Sequence, residues 1–154
     1  MADVPAHDQT VTNHYQIHYP DHSPRQGDIH YAAFNAFRRA HAKTGVCFIG
    51  AKVGFDQCAD ASGHPMLEQP GHPGLEVHHS FLEYALINSV DLDAIQKDYP
   101  NLTNLELVSA WAESDPNFML LCSLHHRGVG GAHHAAYADF EASQYIRNLI
   151  SPAK

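Results

Sequence analysis

LEVHHSFLEYA, residues 75–85, alternates Leu75 and Val77 with Glu76 and His78 and closes its alternating part on a doubled histidine. Such alternation predicts a strand with one face buried. Ser80 and Glu83 follow as the S-x-x-E pattern of a capping box, so a helix is expected immediately after the pair. In a chain with 14 histidines, the doublet is either a surface coincidence or a metal ligand and a proton acceptor side by side. What lies downstream decides between them.

Beyond this stretch, Asp91 is placed to cap a short helix that Pro100 must stop. Thr103 and Glu106 repeat the capping-box pattern, predicting another helix to about Ser114. Pro116 then forces an extended segment, NFMLL, at 117–121. CSLHHR follows, with a helical turn or two expected over 123–127, then a glycine-rich loop at 128–131. A final helix is expected over 138–150, with Phe140, Tyr145 and Leu149 inward.

Upstream, residues 59–74 hold six Gly and Pro residues and read as a loop, while VCFIGAKVGF at 46–55 reads as a strand or hairpin. Asp28 is placed to cap a helix running to about residue 43, with Phe34, Phe37 and His41 on one face, and Gly45 ends it. Residues 1–27 show no helical period and read as an irregular arm. The expectation is one α+β domain over 1–154, mostly helical, with a helical insertion between two strands.

Composition fits a soluble globular protein, with 44% hydrophobic and 17% charged residues. The polar start is unlike a signal peptide and no long apolar run offers a membrane span, so a cytoplasmic location and no membrane partner are expected. Cys47, Cys58 and Cys122 are an odd set, which argues against a closed disulfide framework and leaves buried thiols or metal ligands. The net charge of −8 does not advertise a nucleic-acid binder. Between residues 25 and 52, however, Arg25, Arg38, Arg39, Lys43 and Lys52 face only Asp28, enough for a local basic patch.

Taken in order, LEVHH, an Asn at the head of an apolar strand, and LLCSLHH resemble the HNH endonucleases and their ββα-metal motif. The resemblance covers roughly residues 46–135, and the ending GGAHHAAYADFEASQYIRNLI is similar to HNH proteins encoded by actinobacterial phages. It implies DNA hydrolysis, with RNA left open as a substrate, in a bacterial or phage-infected cell, leaving 5′-phosphate and 3′-hydroxyl ends. It implies His78 and His126 as ligands of a divalent cation (Mg²⁺, Mn²⁺, Ni²⁺, Co²⁺ or Zn²⁺) and His79 as the base that activates water. Asn117 is implied either to hold the His79 segment or to approach the metal. His133, beyond the glycine loop, is a candidate third imidazole. The chemistry is coherent: a cation neutralises charge at the scissile phosphate, and an imidazole of pKa about 6.5 accepts a proton near neutrality.

Many HNH proteins also carry two C-x-x-C pairs around a structural zinc. Here the first pair reads C-F-I-G and the second C-S-L-H, so the resemblance implies a Cys₃His set of Cys47, Cys58, Cys122 and His125, if the zinc is kept. Arg38, Arg39, Lys43 and Arg127 are candidate phosphate contacts. The insertion over 88–116 is a candidate for packing, substrate contact or formation of a homo-oligomer. A catalytically silent, metal-stabilised protein that binds nucleic acid or a host protein is the alternative. A zinc deaminase is disfavoured, because no H-x-E accompanies a P-C-x-x-C pair.

Overall fold

Two short antiparallel strands organise the molecule, and what covers each of their faces sets up its chemistry. The computed structural model describes residues 20–24 and 27–134. The expected arm over 1–27 lies mostly outside the described residues, and the helix expected over 138–150 lies wholly outside them. The described elements are α1 (Tyr31–His41), α2 (Phe48–Val53), β1 (Leu75–His79), α3 (Leu92–Ile95), α4 (Leu105–Ala112), β2 (Phe118–Cys122) and α5 (Ser123–Arg127). Three 3₁₀ segments, Phe55–Gln57, Tyr84–Ser89 and Asp115–Asn117, connect them. Helix and strand are mixed as an α+β chain requires, and α3 and α4 lie between the strands in sequence.

In the β1–β2 register, Leu75 pairs with Cys122, His78 with Met119 and His79 with Phe118. Side chains alternate along a strand, so His79 and Phe118 share one face while Glu76 and His78 share the other. Helix α1 covers the first face. Phe34 stacks on His79 at 5.9 Å between centroids, and both Phe34 and Phe37 pack against Phe118. Helix α5 packs against β1 and β2 and carries His126 to His78.

Two apolar clusters stand among the described residues. One joins Ile49, Met66, Leu121 and Leu124 to the three cysteines. The other packs Val108 and Ala112 of α4 against Tyr84, Ile87 and Leu102. Full burial of Ile49, Leu121 and Val108 stabilises the fold by roughly 1.5–3 kcal/mol each. Trp111 sits at the edge of the second cluster, tilted against Tyr99 and edge-on to Phe81.

Several local expectations give way to tertiary contacts. Ser80 does not cap a helix: its N–H and hydroxyl both donate to the Asn117 carbonyl. The Asn117 side chain accepts from the N–H groups of Phe81 and Leu82, which holds the turn extended, and only a 3₁₀ segment forms from Tyr84. Residues 46–55 are not a strand or hairpin. Cys47 caps α2, its sulfur accepting from Gly50 N–H, and Gly54, at φ 113°, turns the chain into Phe55–Gln57. Helix α4 is capped by Asn104, not Thr103, through a 2.9 Å bond from Leu107 N–H. Helix α1 begins after His30, whose N–H donates to Asp28, and ends at His41, not residue 43. Asp91 does cap α3, accepting from Ala94 N–H. Among the described residues no helix is long and apolar enough to cross a membrane.

Candidate metal centres

Helix α5 begins where β2 ends, and this junction carries ligands to two separate groups. Cys122 caps α5, accepting from His125 N–H through its sulfur. Cys47 caps α2 in the same way, so two C-x-x turns present two sulfurs from matching local geometry. Cys58 enters from the segment after Phe55–Gln57. The His125 Nδ1 lies 3.0 Å from Cys122 Sγ, 3.4 Å from Cys47 Sγ and 3.9 Å from Cys58 Sγ. All four side chains are buried, and their donor atoms lie within 4.8 Å of one another, so the group could hold a metal ion.

Gly50 explains how Cys58 comes to be there. A Cβ built at Gly50 would lie 2.5 Å from Cys58 Sγ, so the sulfur fills the space that a side chain at position 50 would need. The C-F-I-G departure and the use of a cysteine eleven positions after Cys47 are thus one packing arrangement. Hydrogen bonds with Cys122 and Cys58 hold the Cys47 thiol down to about 3, while those with Cys122 and Cys47 push Cys58 up. Three sulfurs this close repel one another as thiolates, and a cation among them removes that conflict. The Cys47 backbone is fixed as well, its N–H donating to Gln69 Oε1 at 2.8 Å.

The second group is made of imidazoles. His78 on β1, His126 on α5 and His133 beyond the glycine loop bring one nitrogen each within 4.8 Å of the others. His133 arrives because the loop folds back, its N–H donating to the His126 carbonyl. The Nε2 atoms of His126 and His133 face each other at 3.0 Å. His126 Nδ1 lies 2.6 Å from Glu76 Oε2. An ionised carboxylate accepts only, so Nδ1 carries the proton and Nε2 keeps its lone pair toward His133. The Nδ1 of His78 is buried with no hydrogen-bond partner among the described residues. Burial, and then the neighbouring His126 and His133, push His78 down to about 3, so it is neutral at ordinary pH.

His79 is not in this group. Its ring lies on the opposite face of β1, 7% exposed, between Phe34 and Phe118. The doublet thus divides between the two faces of β1, as strand alternation requires. Its Nε2 is 3.2 Å from Glu113 Oε1, and its Nδ1 is 3.6 Å from Glu83 Oε2. Asn117 is also outside the imidazole group and fully buried. It takes the holding role: Oδ1 accepts from Phe81 and Leu82, and Nδ2 donates to the carbonyls of Leu82 and Ala112.

Of the candidate phosphate contacts, Arg38 and Arg39 are exposed in the last turn of α1, and Lys43 is exposed just beyond it. Arg127 is committed elsewhere. Its Nε donates to Glu76 Oε2 at 2.8 Å and a terminal nitrogen donates to Oε1, making a two-point pair on a carboxylate that also bonds His126 and Ser123. Glu76 and Glu113 are the site residues that sequence reasoning missed. Glu76 had a signal, standing two residues before His78 and so on the same strand face. Glu113 had none, since the fold alone brings it to His79. Comparisons with protein-family models, curated proteins and solved structures return no match.

Proposed function

We propose that this protein is a metal-dependent phosphodiester hydrolase of the HNH type, acting on DNA. The observation that carries the reading is the trio of imidazoles: two Nε2 atoms facing each other at 3.0 Å, beside a His78 ring with an orphaned buried nitrogen. Three imidazole donors converge from a strand, a helix and a loop, as a cation requires. Two tetrahedrally held imidazole nitrogens at about 2.1 Å from zinc stand about 3.4 Å apart. A divalent cation held by His78, His126 and His133 would neutralise charge at the scissile phosphate and the leaving oxygen. An all-imidazole set favours Zn²⁺, Ni²⁺ or Co²⁺ over Mg²⁺, which prefers oxygen donors.

The remaining roles fall to this chain's other residues. His79 takes the proton of the attacking water at Nδ1, the nitrogen on its less enclosed side. Asn117 holds the turn that ends β1, fixing where that ring stands. Glu76 orients His126 and, by pairing with Arg127, keeps a cation beside the site. Arg127 can exchange Glu76 for a substrate phosphate, and Arg38, Arg39 and Lys43 extend the positive surface. The Cys₃His group is assigned a structural zinc. Zn–S near 2.3 Å and Zn–N near 2.1 Å give S···N edges of about 3.6 Å in a tetrahedron, and the distances of 3.0, 3.4 and 3.9 Å bracket that value.

The burial of His79 between two carboxylates favours one rival, a catalytically silent protein that keeps its metals as structural pins. Plasmid cleavage with Ni²⁺, Co²⁺, Mn²⁺ or Mg²⁺ separates the two. The nuclease reading expects nicking or linearisation with Ni²⁺ or Co²⁺ above that with Mg²⁺. It also expects His126→Ala to lose activity on the order of 10³-fold, the several kcal/mol a catalytic cation supplies. Intact plasmid with every metal would overturn it.

A further inference from the structure

We propose that the segment between the two strands carries a docking face for a basic, amphipathic segment of a partner protein, centred on the exposed ring of Phe81. Phe81 is 62% exposed, yet its backbone is fixed, its N–H donating to Asn117 Oδ1 at 2.9 Å. Its ring stands edge-on to Tyr99 at 5.4 Å and to Trp111 at 5.6 Å between centroids. Those two rings lie tilted against each other at 4.8 Å, and both pack on the second apolar cluster. Leu107, 41% exposed, precedes Trp111 by four residues on α4 and so extends the same face. Tryptophan and tyrosine anchored from below and reached from above have the composition of an interface hot spot.

The charge around the rings identifies the class of partner. Residues 80–115 hold seven Asp and Glu against a single basic residue, Lys97. Glu83 follows Phe81 by two residues, exposed Asp98 adjoins Tyr99, and exposed Asp115 stands just past the end of the helix that bears Trp111. Such a field repels a phosphate backbone. A second copy presenting the same face would set like charge against like. A segment carrying Arg and Lys between apolar side chains meets both features. Its cations face the carboxylates and lie over the rings, while its apolar side chains cover Phe81 and Leu107. Because the platform is already fixed, little ordering is lost when it is covered. The basic residues assigned to nucleic acid stand on and just after α1, not on this segment. The docking face stands whether or not the protein cuts DNA.

Trp111 is the chain's one tryptophan, so its emission reports on this face directly. The protein is titrated with a synthetic amphipathic helix of Arg and Leu, with a Glu and Leu counterpart, and with oligothymidylate. The Arg peptide is expected to shift the emission saturably, with affinity falling as salt is raised. Phe81→Ala, at an exposed position and expected to leave the circular dichroism unchanged, should weaken that affinity about 10- to 30-fold. Asp98→Asn combined with Asp115→Asn should weaken it by a smaller factor. No shift with the Arg peptide overturns the inference, as does an equal shift with the Glu peptide. A shift with oligothymidylate alone would make this a nucleic-acid surface. Emission that changes on dilution, with a dimer seen by sedimentation, would give the face to a second copy. Either result overturns the inference.

Discussion

Two groups that could hold a metal ion share the five residues of α5, and their surroundings divide them sharply. The Cys₃His group is closed, with four buried ligands, two of which cap the helices that carry them. The imidazole group has three ligands, graded from buried His126 through half-buried His78 to exposed His133. A structural metal wants all its positions filled by protein, whereas a working one needs a position left for water or substrate. The contrast lies in burial and ligand count more than in residue type, since both groups take a histidine from α5.

The comparison breaks most visibly at the closed group. Cys122→Ser should abolish cooperative unfolding followed by far-UV circular dichroism and remove one tightly held metal per chain, because structural zinc supplies about 10–16 kcal/mol of apparent folding energy in small domains. A variant that still melts cooperatively with its metal content unchanged would count against a structural role. Gly50→Ala is the subtler attack on the same centre, as its new Cβ meets Cys58 Sγ at 2.5 Å. We expect a loss of about 1–3 kcal/mol from overpacking, read in a thermal melt, together with faster metal loss to a chelator. Glu76→Gln sharpens the contrast from the open side. The variant should weaken Ni²⁺ binding about 10- to 100-fold by loosening His126, seen by titration calorimetry, while the tightly held metal stays in place.

How much of this was legible in the sequence depends on the range of the forces involved. The strands at 75–79 and 118–122 follow from alternation and from Pro116, and α3 follows from Asp91, because those signals are local. The Cys₃His set and the His78, His126 and His133 trio were reached through the resemblance, since a residue's identity does not say which others it will meet. The stretch at 46–55 misled because its β-branched and aromatic residues suit a strand, while the sulfur cap at Cys47 and the packing at Gly50 favour a helix. Ser80 misled for a related reason, since Asn117, 37 residues away, takes the amides that a capped helix would have used. Glu113 was invisible. Its role appears only once α4 is laid against the end of β1, and an acidic residue at a helix end has many ordinary reasons to be there.

His125 and His126 are consecutive, yet one belongs to each of these two groups. The spacing between the two centres is therefore set by a single peptide plane, and chain length becomes a constraint distinct from composition. Inserting or deleting one residue between Cys122 and His126 would rotate α5 by about 100° and hand each centre the other's neighbour. The loop over 59–74 supplies no ligand to the closed group but braces it at Met66, packed among the cysteines, and at Gln69, whose Oε1 accepts from the Cys47 N–H. Among relatives of this chain, the C-x-x-H-H run should vary in its intervening residues and hold its count.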